Sequence, residues 1–130
     1  MRAFYEAFWA DAPQDPEPYE WTRRRALLLD EVQPGDRALD LGCGAGRFLA
    51  LLENAVGAEI SEEAASRARA NVPGADVRLV QADGSLPVGH GEFDLVWCSE
   101  TLEHIPDVSE TLGEIRRVLR PGCGLAVVFN

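Results

Sequence analysis

The chain has 130 residues, enough for one hydrophobic core, and its 46% hydrophobic and 26% charged residues are ordinary for a globular domain. A formal net charge of −10 repels a phosphate backbone and argues against nucleic acid as a general partner, while no apolar run approaches the roughly 20 residues of a membrane span. The start, Met1-Arg2-Ala3-Phe4-Tyr5-Glu6, lacks a signal peptide's apolar stretch, and Cys43, Cys98 and Cys123 form no C-x-x-C pair, so a cytoplasmic protein with reduced cysteines is expected.

Residues 1–12 carry Phe4, Phe8 and Trp9 at i, i+4 and i+5, the pattern of a short amphipathic helix. Pro13, Pro16 and Pro18 punctuate a loop, and a second helix is expected from about Glu17 to Val32 with Trp21, Leu28 and Val32 on its apolar side. Arg23-Arg24-Arg25 reads as a solvated face of that helix, and Gln33-Pro34-Gly35-Asp36 as the turn that closes it. Residues 1–35 therefore precede a core of residues 36–130 within one domain.

The core opens on Arg37-Ala38-Leu39-Asp40-Leu41, a short apolar run that breaks into Gly42-Cys43-Gly44-Ala45-Gly46 and then into Arg47-Phe48-Leu49-Ala50-Leu51-Leu52, which repeats at helical spacing. The pattern reads as strand, tight turn and helix, with glycines where a ligand approaches the backbone closely. A dinucleotide fingerprint requires G-x-G-x-x-G, but here the third glycine comes one place early and Arg47 stands where the last belongs. Ala55 to Ile60 is a second strand ending in Glu59, seventeen residues beyond Gly42 and placed to accept hydrogen bonds from ribose hydroxyls. Ser61-Glu62-Glu63 caps a helix running to about Asn71.

Asp76 to Val80 follows as a third strand and leads into Gln81-Ala82-Asp83-Gly84; residues 86–91 form a loop, with His90 exposed in it. Glu92 to Cys98 is a fourth strand, succeeded by Ser99-Glu100-Thr101-Leu102-Glu103-His104-Ile105-Pro106-Asp107. A helix from about Val108 to Leu119 and a strand over Leu125 to Phe129 complete the chain. Strands alternating with helices imply an α/β doubly wound, mainly parallel sheet with ligand at the carboxyl ends of the strands.

Over residues 36–130 these features resemble the class I S-adenosylmethionine-dependent methyltransferases, in which an acidic residue precedes G-x-G-x-G. The resemblance implies a Rossmann-like fold and S-adenosylmethionine or S-adenosylhomocysteine lying on the turn, with Asp40, Gly42, Gly44 and Gly46 in contact with its amino-acid part. It implies Glu59 on the ribose and Asp83 on the adenine amino group, flanked by Gly84 and Ser85; Cys43, Ile60 and Cys98 complete the implied set. The F-D of Phe93-Asp94 and the turn Leu119-Arg120-Pro121-Gly122-Cys123-Gly124-Leu125 also match, with Cys123 replacing a glycine of the family's L-x-P-G-G-x-L. In such enzymes the leading helices contribute to the acceptor pocket, which makes Phe4, Tyr5, Phe8, Tyr19 and Trp21 candidates for its walls.

A sulfonium methyl needs no activation, so placement of a small-molecule acceptor is the main task, and an oxygen acceptor must also lose a proton. Glu100 and His104 are candidates for that proton transfer. With Glu103 they form E-x-x-E-H, whose spacing puts them on one side of a helical turn, where they could hold a divalent cation. The pattern is similar to the metal motif of the small-RNA 3′-terminal 2′-O-methyltransferases and to a pattern in the ubiquinone-biosynthesis O-methyltransferases; the acidic charge suits the second better. Rival readings are a nicotinamide-dependent oxidoreductase and a non-catalytic methyltransferase-like subunit. The family core continues with two further strands. The fifth strand is therefore expected either to belong to a fragment or to be covered by a second copy or a partner subunit.

Overall fold

Five short strands pair edge to edge into one sheet, and the Val, Leu and Ala side chains of its central strands are buried by the segments packed on its two faces. The computed structural model describes residues 2–99, 101–102, 105–122 and 124–129. Strands β1 (Arg37–Leu41), β2 (Asn54–Glu59), β3 (Asp76–Leu79), β4 (Leu95–Ser99) and β5 (Leu125–Phe129) form one sheet of order β3-β2-β1-β4-β5 with every pair parallel. The order reverses between β1 and β4, the crossing point at which open parallel sheets bind ligands. Helices α1 (Arg2–Asp11), α2 (Trp21–Glu31), α3 (Glu62–Asn71) and α4 (Val108–Val118) cover the sheet.

Alternation along the central strands sorts side chains between two layers. Leu39, Leu41, Val96 and Cys98 pack with Ile115 and Val118 of α4, whereas Ala38, Leu95 and Trp97 pack with Leu28 of α2 and with Phe48. Burial on both faces is why β1 and β4 read as unbroken apolar runs. The interruption at Asp40 is the exception, since it lies between Gly57 of β2 and Trp97 of β4 in the sheet register.

Helix α3 begins where the cap predicts: Ser61 Oγ accepts from Ala64 N at 3.1 Å, and Glu62 and Glu63 sit in the first turn. The helical repeat over 47–52 does not become an α-helix. It gives only a 3-10 turn at Leu49–Leu51, because Leu52 is already extended (φ −103°, ψ 136°) and β2 starts at Asn54. Phe48 and Leu49 instead turn to different clusters, Phe48 joining Trp97 and Leu49 joining Cys43 and α3. Two further boundaries move inward. Helix α2 starts at Trp21 rather than Glu17, behind Pro18 and a left-handed Glu20 (φ 50°), and β4 starts at Leu95. Phe93 makes only an isolated bridge to Leu119, while Asp94 Oδ2 accepts from Arg37 N at 2.9 Å and ties the start of β4 to that of β1.

Candidate functional site

At the end of β1 the chain turns through Gly42 (φ +76°), whose N–H donates to Ala58 O at 2.7 Å. A Cβ there would stand 2.3 Å from Thr101 Oγ1, so only glycine lets the segment after β4 lie against the turn. The Thr101 hydroxyl is directed at Leu41 O (3.3 Å) and Ser99 O (3.2 Å), which pins the two strand ends together. Two residues on, Gly44 N donates to Glu59 Oε1 at 3.0 Å, and Ser61 N donates to Glu59 Oε2 at 2.8 Å. Glu59 thus joins the glycine turn to the start of α3 and keeps lone pairs on both oxygens for a ligand.

Two buried carboxylates shape the electrostatics. Asp40 is 2% exposed and its Oδ2 has no hydrogen-bond partner; burial, reinforced by the charge of Glu59, pushes its pKa up to about 7. Glu59 is 5% exposed, and burial raises its pKa against the lowering effect of the N–H groups of Ser61, Gly44 and Ile60. Burial, then the charges of Asp40 and Glu59, hold the Cys43 thiol well above its ordinary value, so it is no thiolate nucleophile.

These residues face a cavity of about 520 Å³, within the range of small-molecule sites. Helix α1 closes one side with Phe4, Tyr5, Phe8 and Trp9, and Tyr19 adds a further ring. Phe4, Phe8 and Tyr19 are 65%, 55% and 66% exposed, an uncommon concentration of free aromatic surface at one mouth. Helix α1 has no buried residue of its own and is held mainly by polar ties. Glu6 accepts from the Ser61 hydroxyl and from Glu63 N (3.2 Å), Arg2 donates to Val80 O (2.8 Å), and Arg67 donates to Ala12 O (2.7 Å) while stacking over Trp9.

Asp40, Gly42, Cys43, Gly44, Glu59, Ile60 and Gly84 line this cavity. Gly46, Asp83, Ser85 and Cys98 do not. Gly46 faces α3, where a Cβ would meet Val72 Cγ2 at 3.0 Å, and Cys98 is buried under α4. Asp83 is exposed, and its Oδ1 accepts from Ser85 N (2.9 Å) and Ser85 Oγ (2.7 Å). Glu100, Glu103 and His104 lie outside the described residues; among the described residues no cluster of His, Cys, Asp and Glu is arranged for a metal ion. Trp21 packs on Phe48 (ring centroids 5.1 Å apart) instead of reaching the cavity. Trp9 and Thr101 line it without being among the walls expected from the sequence. Trp9 belongs to the same aromatic run as Phe8, whereas nothing local marks Thr101.

A glycine turn followed by only a 3-10 turn offers no α-helix dipole to a pyrophosphate, which removes the main physical basis of the dinucleotide reading. The parallel sheet, the crossing point, the glycine turn and the acid closing β2 define a Rossmann-like fold of the cofactor-binding type. The family described as "Methyltransferase domain" matches residues 39–127, and the chain belongs to that family. It is 36% identical over 135 residues to the 27-O-demethylrifamycin SV methyltransferase of Amycolatopsis mediterranei, covering 95% of this chain and 49% of that protein. It is 35% identical over 117 residues to the ubiquinone biosynthesis O-methyltransferase of Thiobacillus denitrificans, covering 83% and 48%. Among solved structures it superposes with TM-score 0.82 and 29% identity on a chain of the Haloferax volcanii complex between the Trm112 methyltransferase activator and a methyltransferase, covering 95% and 58%. The chain spans about half the length of these two curated relatives.

Proposed function

We propose that the cleft binds S-adenosylmethionine and that the protein transfers its methyl group to an oxygen atom of a small molecule. The observation that carries the reading is Glu59: a buried carboxylate at the end of β2, held at both oxygens by backbone N–H groups and lining the cavity. Rigid placement of that kind suits a pair of ribose hydroxyls. The residues fit the cofactor in two further ways. Gly44 lines the cavity with no side chain, Trp9 of α1 lying against it where a Cβ would meet Trp9 Cζ2 at 3.0 Å, and the unpartnered Asp40 oxygen supplies negative charge for a cationic ligand. When bound, the cofactor supplies an electrophilic methyl on a sulfonium; the chain's own part is to hold it, exclude water with the aromatic cover of residues 1–35, and align an acceptor hydroxyl.

The oxygen preference is supported by the two curated relatives, both named for O-linked chemistry. Glu100 and His104 are proposed for the acceptor's proton, and a divalent cation on Glu100, Glu103 and His104 is a further part of the proposal; methyl transfer that survives exhaustive chelation would remove the cation. A cytoplasmic location is proposed on the free, buried Cys43; no helix among the described residues is long and apolar enough to cross a membrane. Pairing with a second copy or a partner subunit along β5 is proposed on its place at the edge of the sheet.

Calorimetric titration with S-adenosylhomocysteine tests the central reading. Glu59→Ala should bind it with a loss of about 1.5–3 kcal/mol, roughly tenfold to over a hundredfold in Kd, as expected for removing a charged hydrogen-bond acceptor. Unchanged affinity would sink the ribose assignment.

A further inference from the structure

Asp40 poses a problem that contact with the glycine turn does not solve. Its carboxyl group is buried between β2 and β4, lines the cavity, and has an oxygen with neither solvent nor a hydrogen-bond donor. A bare carboxylate in such a place is costly, and an ordinary neutral ligand would leave it so. The charged and titratable groups around it add no relief. From β2 comes Glu59, from the glycine turn the neutral thiol of Cys43, and from α1, acting on Glu59, Glu6. Its register neighbour on β4 is Trp97, which carries no charge. The arginines of the flanking segments are engaged elsewhere: Arg24 of α2 with Ser99 Oγ (2.6 Å) and the Tyr19 ring, Arg47 with Asp15 (3.0 Å), and Arg67 of α3 with Glu63 and the Ala12 carbonyl.

We propose that Asp40 carries a proton in the ligand-free protein and gives it up to solvent when a sulfonium ligand enters, so that the cleft distinguishes the cofactor, which bears the sulfonium charge, from its thioether product, which lacks it. The inference rests on the methyltransferase reading and adds to it a specificity-determining role for one residue. The balance is simple. Entry of the sulfonium stabilises the carboxylate, and the O–H bond of the Asp40 carboxyl breaks with its proton passing to buffer. Loss of the methyl group leaves a neutral sulfide, and the carboxylate takes a proton back from solvent as the site returns to its uncharged state. Product release and proton uptake become one coupled event. Binding of the charged cofactor strengthens as pH rises toward neutrality, while binding of the product gains nothing from that rise.

The test is calorimetry with S-adenosylmethionine and, separately, S-adenosylhomocysteine, each in buffers of different ionisation enthalpy between pH 6 and 7. The dependence of the observed heat on buffer counts protons. The charged cofactor should release a fraction of a proton, approaching about half at pH 7, where a group with a pKa of about 7 is half protonated. The product should release less. The ligand amine is mostly protonated in this range, and its contribution would be uptake, of opposite sign. Asp40→Asn should abolish the release and bring the two affinities together. The comparison of the two ligands on the unaltered protein stands even if that variant fails to fold. Binding of both ligands with equal proton counts, or an Asp40→Asn protein that still releases protons, overturns the proposal and leaves the cofactor reading intact. Binding of neither overturns the cofactor reading itself.

Discussion

The same two carboxylates make the protein's stability depend on pH in a direction unusual for a carboxylate-rich chain. An Asp that titrates near 4 when unfolded and near 7 when folded holds its proton more tightly in the native state. Its contribution is therefore fully present below pH 4 and is lost as pH rises through 7; Glu59, also raised, acts in the same direction. Glu6, Asp76, Glu92 and Glu114 are lowered by hydrogen bonds from Ser61, Arg78, Arg37 and Arg117, so their contribution is present above the ordinary carboxylate range and lost in acid. Between pH 5 and 8 only the first effect operates. Urea midpoints should fall from pH 5.5 to pH 8, and Asp40→Asn should flatten most of that slope; an equal slope in the variant would mean that Asp40 is not the source. At Gly42 the expected effect is steric. Gly42→Ala meets the Thr101 hydroxyl in a left-handed backbone and should cost about 1–3 kcal/mol in a denaturation series, with Thr101→Ala in the same chain recovering part of the loss. Glu59 was legible from its distance beyond the glycines, because strand period and turn length place it. The isolation of Asp40 and the wedge of Thr101 were not, since both arise from strands brought together by the sheet.

Among the elements, α3 and β5 begin where their sequence signals place them: after Ser61 with its acidic first turn, and at the apolar run after Gly124. The failure at residues 47–52 has the opposite cause. Helical periodicity is present, but the link from Gly42 to Asn54 is close to the shortest a parallel crossover can be, and span overrides propensity. Helix α1 is the element most weakly committed to the fold, having polar ties but no buried residue. Glu6→Ala, which removes its acceptor for Ser61 and Glu63, should speed amide hydrogen exchange across residues 2–11 while shifting Tm by no more than about 3 °C. Exchange unchanged by the substitution would mean that the aromatic contacts alone hold the helix.

For the molecule as a whole, β5 forms one edge of the sheet among the described residues, and Leu125 on it is 43% exposed. An apolar parallel strand in that position invites pairing, so this polypeptide should self-associate or take up a partner chain, giving a solution mass above that of the single chain and slow exchange at residues 125–129. A soluble monomer exchanging rapidly there would show that the edge tolerates water. The three tryptophans happen to sample the molecule at different depths. Trp97 is wholly enclosed in the sheet beside Asp40 in register, Trp21 leans on Phe48 from the first turn of α2, and Trp9 rides on α1 at the mouth of the cleft. The indole in the sheet should emit at the blue end of the fluorescence band and be inaccessible to iodide, whereas the one on α1 should contribute at the red end and be quenched. The protein therefore carries its own optical gauge: a change confined to red-edge emission reports the outer helix lifting from the cleft, and a loss of the blue-edge component reports the sheet coming apart.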